Sequence, residues 1–283
     1  MNIAIVGFGN EGKTLLAFLK KSPRYKQAVI TVLDKNEMLT VELKRQKIPY
    51  ELGSNYLKNL KRFDLIFRSP GIPYLLPEIQ TARIQGTHIS SQTKLFFEEL
   101  MATRRAAKSA KPLIIGVTGT KGKGTTSTLI FQMLKNAKYK TILAGNIGTP
   151  MIEALATAKR ADYVVLELSS FQLQDMDVSP DIAVVVDIFP DHLDSHKDTR
   201  EYYTAKANIG RFQKKSGRIF FYATNTLSTR IAAKSPARKH GITPKKIICV
   251  KILRWPRPSR APVAVPIPSL NELLRNLPAL SIG

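Results

Sequence analysis

Disulfide scaffolds and cysteine-built metal centres are excluded from the outset, because the 283 residues include one cysteine, Cys249. Acids are also scarce: 21 Asp and Glu stand against 44 Lys and Arg, a formal net charge of +23. Such a balance invites a nucleic-acid partner, but its distribution argues against one. Residues 218–283 hold twelve of the cations and a single acid, Glu272, so about half the excess sits in the last quarter, and no recognition motif accompanies it. Long apolar runs are missing as well; none approaches the ~20 residues that span a bilayer. The opening MNIAIVGFGNEGK is a strand and glycine turn, not a basic segment leading into an apolar one. A cytoplasmic monomer with no membrane or nucleic-acid partner is expected.

What is present is alternation. Asn2 to Val6 reads as a strand, Gly12 to Lys20 as a helix, Ala28 to Leu33 as a strand, Glu37 to Lys47 as a helix and 64-DLIF-67 as a strand. A second series follows. It comprises strand Leu113 to Val117, helix Lys123 to Asn136, strand Thr141 to Ala144, helix Met151 to Lys159, strands 162–168 and 182–188, helix Glu201 to Phe212 and strand 218–222. Repeated βαβ units imply parallel sheets. The expected fold class is α/β, with a Rossmann-like domain at 1–101, a basic connector at 102–111 and a central P-loop ATPase-like domain at 112–240. Beyond it, residues 241–283 read as an irregular basic tail. Six of the chain's 17 prolines fall in 253–283, where neither period is visible apart from a weak helical stretch at Leu270 to Asn276.

Two glycine turns carry the chemistry. The first, 7-GFGNEG-12, fits G-x-G-x-x-G between strand and helix, with Asp34 ending the next strand. It suits NAD or any nucleotide diphosphate at a helix N-terminus, and equally a tight turn without ligand. The second lies in 116-GVTGTKGKGTTS-127. Gly119, Thr120, Lys121, Gly122, Lys123, Gly124 and Thr125 offer consecutive N–H donors for phosphate, and Lys123 neutralises β/γ charge. The strict P-loop pattern fails twice: Val117 stands at the first glycine, and Gly124 where a magnesium-binding hydroxyl belongs. Thr125, one position on, is the substitute.

Downstream, 145-GNIGTP-150, 167-ELSSFQL-173, 190-PDHLDSH-196 and 203-YTAK-206 follow in an order and spacing that resemble the Mur ligase family, the ATP-dependent amino-acid ligases of peptidoglycan synthesis. Within it, E-L-S-S-F-Q-L, 69-SPGIP-73 and 91-SQTKLFF-97 resemble the branch that adds D-glutamate to UDP-N-acetylmuramoyl-L-alanine. The likeness covers roughly residues 1–240. Family loops lack the early glycine, and the folate-glutamylating relatives carry G-K-G-S, to which 122-GKGT-125 is similar.

The resemblance implies attack of the substrate carboxylate on the γ-phosphate of ATP, then capture of the acyl phosphate by D-glutamate. Lys123, His192, Lys206 and Asn146 become catalytic candidates. Thr125, Glu167, His192 and Lys206 become ligands of two Mg²⁺ sites, Lys206 as a carbamate. Gly9, Asn10, Glu11, Gly12, Asp34, Lys35, Ser69 and Gly71 would cradle UDP, with Asn146, Ser169 and Gln172 near the reacting end. Asp187 and Lys94 depart from the family's usual residues. His192, Asp191, Asp194 and His196 are also readable as only a polar turn, His88 and His240 as surface or loop residues, and Phe96, Phe97 and Phe171 as core. The family's third, amino-acid-binding domain is not recognisable, and a shifted reading frame or a genuine anion-binding tail would each explain the end. A non-catalytic UDP-sugar and ATP-binding module and an NAD-dependent oxidoreductase are the rivals, the latter disfavoured by the second loop.

Overall fold

Near-continuous apolar runs such as IAIV and LIF suit strands covered on both faces, and these runs form the first sheet. The computed structural model describes residues 1–191 and 196–243. Strands β1 (Asn2–Val6), β2 (Val29–Asp34), β3 (Tyr50–Leu52), β4 (Leu65–Arg68) and β5 (His88–Ser90) pair in parallel in the order β3-β2-β1-β4-β5. Helices α1 (Asn10–Lys21), α2 (Thr40–Arg45), α3 (Pro77–Ile84) and α4 (Gln92–Ala106) connect or flank them. Chain order reverses at β1, so the switch point that favours ligands lies between the ends of β1 and β4.

The second sheet is built from β6 (Leu113–Thr118), β7 (Thr141–Gly145), β8 (Tyr163–Glu167), β9 (Ile182–Val185), β10 (Arg218–Tyr222) and β11 (Arg238–Ile242). It is also parallel, in the order β11-β10-β9-β6-β8-β7. Its helices are α5 (Lys123–Asn136), α6 (Met151–Ala158), α7 (Ser170–Leu173), α8 (Thr199–Arg211) and α9 (Thr226–Ala233). Among the described residues no helix is long and apolar enough to cross a membrane. Register sets the functional edge: Val117 lies opposite Glu167 and Thr118 opposite Val185. The loop leaving β6 is therefore flanked by the ends of β8 and β9.

Several expected boundaries shift. The Ser91 hydroxyl accepts from Lys94 N at 3.2 Å and caps α4, which runs through Ala106, so the first half of the 102–111 connector is helical. Arg104, on that stretch, pairs with Asp181 at 2.6 Å. The Glu37 to Lys47 helix begins as a 3-10 turn under an Asn36 cap and ends as Lys47 turns to φ 54°. Strand β11 carries the second sheet past 240, and His240 lies in that strand, its ring stacked on Phe220 at 4.8 Å. His88 likewise lies in a strand, exposed at its start.

The two sheets share one apolar core. A continuous cluster joins Ile3, Leu15 and Phe97 to Met151, Leu155 and Leu166, where α1 and α4 pack on α6. Phe96 and Phe97 are fully buried, as expected of core. Ion pairs reinforce the junction, Lys159 with Glu99 at 2.6 Å and Lys94 with Asp177 at 2.8 Å. Lys94, the departure noted in the sequence, thus has a local acid of its own.

Candidate nucleotide and substrate site

The turn after β6 is held open by hydrogen bonds on both sides. Thr118 is buried, and its hydroxyl donates to Leu168 O at 2.8 Å. Thr120 N donates to Asp187 O at 2.7 Å, its hydroxyl donates to Phe189 O at 3.0 Å, and Tyr202 OH lies 2.8 Å from the Thr120 hydroxyl oxygen. Asp187 therefore serves the loop through its backbone, whatever its side chain. Gly119 presses on the segment that leaves β9, for a Cβ there would meet Val186 at 2.3 Å. Gly122 precedes α5 at φ +83°, the left-handed region that glycine tolerates. Lys123 opens α5 and its ammonium donates to Thr120 O at 3.0 Å. Lys121 is exposed. Together these features aim a helix N-terminus and a lysine at one point, the geometry of an anion site.

Glu167 ends β8 beside this point. It is 3% exposed, and burial pushes its carboxyl above the usual carboxylate range, opposed by the Lys123 charge and Asn146. Oε1 accepts from Asn146 at 3.5 Å, while Oε2 is buried without a hydrogen-bond partner among the described residues. A Cβ on Gly124 would lie 3.5 Å from that oxygen. An orphaned, desolvated carboxylate oxygen is a donor suited to a hard cation, so Glu167 fits Mg²⁺. Thr125 is exposed and its side chain makes no hydrogen bond among the described residues. His192 and Asp194 lie outside the described residues, and among those described no three His, Cys, Asp or Glu cluster as a metal set.

Lys206 faces the loop from α8. It is 2% exposed and donates to Gly119 O at 2.7 Å; its ammonium sits over the Tyr202 ring at 4.7 Å. Burial, then the Lys123 charge, holds it down to about 7, with Asp191 opposing. A neutral amine, the form that can add CO₂, is therefore present near neutral pH. The depressed value also fixes a stability profile. Below about pH 7 the lysine is charged in both folded and unfolded chains, and the burial penalty is fully felt. Between about 7 and 10.5 the unfolded chain holds more protons, so stability rises with pH through that window. Lys206→Met is expected to flatten this rise, with urea melts at pH 6, 8 and 10 as the measurement; an unchanged pH slope rejects it.

The first glycine turn is tied down by the residues expected to bind UDP. Asp34 accepts from Phe8 N at 2.6 Å and Asn36 N at 2.8 Å, and the Ser69 hydroxyl donates to Gly7 O at 2.6 Å. Both shape the cradle through its backbone. Gly9, Asn10, Lys35 and Gly71 are exposed along this edge, and Gly12 is buried where a Cβ would strike Gly7 O at 2.5 Å. Ser169 and Gln172 form a capping box for α7, so part of their hydrogen-bonding capacity is used internally. Gln172 also reaches Glu11 Oε1 at 3.4 Å, and Glu11 is raised by burial, opposed by Gln172 and the Arg68 charge. The two expected substrate regions thus meet across the domain junction.

Sequence reasoning missed three residues here, Arg68, Asp175 and Tyr202, and misread a fourth, His196. Arg68, directly before 69-SPGIP-73, is 1% exposed; it donates to Ile72 O at 2.7 Å and Phe171 O at 2.9 Å and pairs with Asp175 at 3.2 Å. Tyr202, directly before 203-YTAK-206, is fully buried between Thr120 and Lys206, and burial pushes its phenol up to about 12. His196 is buried, not part of an open polar turn, with Phe171, half-buried, stacked on it at 4.8 Å. An arginine closing an apolar strand was the one available signal.

Comparisons with known proteins agree with this division. Residues 1–91 match the Mur ligase MurD-like N-terminal domain and residues 117–246 the Mur ligase middle domain. UDP-N-acetylmuramoylalanine--D-glutamate ligase of Acetivibrio thermocellus is 40% identical over 238 residues, 82% of this chain and 48% of that protein. The enzyme of the same name from Clostridium acetobutylicum is 37% identical over 238 residues, again 82% and 48%. The chain spans about half the length of the curated relatives it matches. Among solved structures, a UDP-N-acetylmuramate:L-alanyl-gamma-D-glutamyl-meso-diaminopimelate ligase from Neisseria meningitides has TM-score 0.48 and 17% identity, covering 86% of this chain and 79% of that one. With a MurD-like N-terminal domain leading into a Mur ligase middle domain, the chain belongs to the Mur ligase family.

Proposed function

We propose that this chain binds ATP with Mg²⁺ at the β6–α5 loop and UDP-N-acetylmuramoyl-L-alanine across the domain junction, the two substrates of D-glutamate addition. The observation that carries the reading is the convergence of Lys123, Glu167 and Lys206 around one turn, with Asn146 beside Glu167. The first sheet contributes the UDP cradle through Gly9 to Gly12, Asp34, Lys35, Ser69 and Gly71. Glu167 would hold Mg²⁺, with Thr125, His192 and Lys206 as the remaining candidate ligands, Lys206 after carbamylation; the bound metal would neutralise charge on the transferring phosphoryl oxygens. Lys123 and the loop N–H groups would orient the triphosphate. Asn146, Ser169 and Gln172 would set the substrate carboxylate in line.

Binding and ligation are separable. Because the chain spans about half of its relatives' length, a module that binds both substrates without joining D-glutamate is the second reading. Phosphate release from ATP is to be assayed with UDP-N-acetylmuramoyl-L-alanine, with and without D-glutamate. Release that needs both supports the ligase, and calorimetric binding of both substrates without turnover supports the module. Failure to bind either ligand rejects both.

Gly124 offers a sharper check. A Cβ there meets only ordinary van der Waals contacts, Glu167 Oε2 at 3.5 Å and Ile147 at 3.8 Å, so Gly124→Ser is expected to place a hydroxyl where a P-loop carries its magnesium ligand. ADP affinity in Mg²⁺ should rise severalfold, with little change in EDTA. Equal effects in both buffers would remove the metal from this side of the loop.

A further inference from the structure

A line of hydrogen bonds runs beneath the substrate helix and uses side chains with no part in the reading above. Ser170 Oγ lies 2.9 Å from His196 Nε2, and His196 Nδ1 lies 2.5 Å from Glu201 Oε2. The other oxygen of Glu201 accepts from Gln174 Nε2 at 2.8 Å, and Gln174 Oε1 accepts from Tyr74 N at 3.3 Å. Four elements are thereby joined: α7, the segment entering α8, α8 itself and the 69–76 loop of the first domain.

Serine, imidazole and carboxylate in this order have the connectivity of a nucleophilic triad. Burial decides against that role. Ser170 is 2% exposed and His196 4%, the ring stacked on Phe171 and edge-on to Tyr202 at 5.1 Å. No substrate carbonyl can approach the serine oxygen. A carboxylate only accepts, so Nδ1–H donates to Glu201, and in that neutral tautomer Nε2 accepts from the Ser170 hydroxyl. The ring is then held at both nitrogens, and its faces by aromatic packing. Such a group fixes distances.

We propose that His196 is a positioning residue, locking α7, which carries Ser169 and Gln172, against α8, which carries Lys206, and through Glu201 and Gln174 against the 69–76 loop. It rests on the proposed function for what those elements bind, but not for the lock itself. Lys206 follows Glu201 by five residues on one helix, and Ser169 directly precedes Ser170. A slip at the imidazole therefore alters the spacing between the expected substrate contacts and the lysine. The β6–α5 loop meets α8 at Tyr202 and Lys206, but the strand and helix on either side of it are held by bonds of their own.

Hydrogen exchange on the ligand-free full chain tests the lock. His196→Ala is expected to speed amide exchange in 169–176 and 70–76 while leaving 113–117 and 126–135, the strand and helix beside the loop, unchanged, and His196→Gln, long enough to keep one of the two bonds, to restore much of the protection. Calorimetry then reads the consequence: affinity for UDP-N-acetylmuramoyl-L-alanine falls about tenfold, the loss of one buried hydrogen-bonded link, and Mg-ADP affinity stays within about twofold. Uniformly faster exchange, or equal loss for both ligands, would mark His196 as ordinary core and overturn the proposal. So would unchanged exchange. If the unaltered chain binds no UDP-muramoyl compound, the functional reading falls, and exchange alone decides the lock.

Discussion

Replacing Lys123 by alanine is expected to weaken Mg-ATP binding at least thirtyfold, to the point of loss in most assays. The side chain is the cation common to the whole site: its charge acts on Glu167 and on Lys206, and its ammonium already donates within the loop to Thr120 O. Truncating one partner of a desolvated charge pair costs about 2–5 kcal/mol, and about 2 kcal/mol is already roughly thirtyfold. Part of the loss is returned, because Lys206 no longer faces a like charge. In the variant, Lys206 should therefore titrate above about 7 and Glu167 higher still, since each loses the Lys123 contribution that now lowers it. Lys123→Met preserves the apolar stem and separates charge from packing. Calorimetry with Mg-ATP, beside a thermal melt to establish folding, is the measurement. A folded Lys123→Ala protein with unchanged affinity would falsify the phosphate-loop assignment.

The sequence made this loop readable because its signal is local. A strand of β-branched residues, a run of glycines and a lysine at a helix start all lie within 113–127, and the register of β6 with β8 and β9 then places Glu167 and Asp187 beside it. Parallel alternation likewise made both sheets legible. Short elements were not: β3, β5 and α7 have 3, 3 and 4 residues, too few to show a period. Strand β11, RKHGI, was missed because it is an edge strand with two exposed charged residues at its start. The deepest omission is of another kind. Arg68 and Asp175 come together because the two domains dock, and His196 and Ser170 because segments that follow different strands of the second sheet converge, and no spacing along the chain encodes either. Asp34 and Ser69 show the converse: residue type and position fitted a ligand contact, while the structure uses both to fix the turn's own backbone.

Asp175→Ala is expected to destabilise the fold by about 3–5 kcal/mol, the cost of leaving a buried ion without its partner. Arg68 and Asp175 have side chains 0% and 1% exposed and pair across the two domains at 3.2 Å. The guanidinium has other acceptors, Ile72 O and Phe171 O among them, yet these carbonyls carry no net charge to balance it. Against a typical stability of about 5–15 kcal/mol, the change removes a large share of what holds the chain folded. Asp175→Asn keeps the shape and a polar oxygen but not the charge, so a loss close to that of Asp175→Ala identifies the charge as the cause. Arg68→Met with Asp175→Leu removes both charges and restores apolar contact; it should be more stable than Asp175→Ala alone, because the orphaned cation has gone. Urea melts of the single and double variants close the cycle. A double variant whose loss equals the sum of its single losses would show that the pair is not coupled, and the junction would then rest on the shared apolar core. A coupled pair has a further consequence, because Arg68 also holds Ile72 O and Phe171 O. The same ion pair that joins the domains then sets the distance between the 69–76 loop and α7.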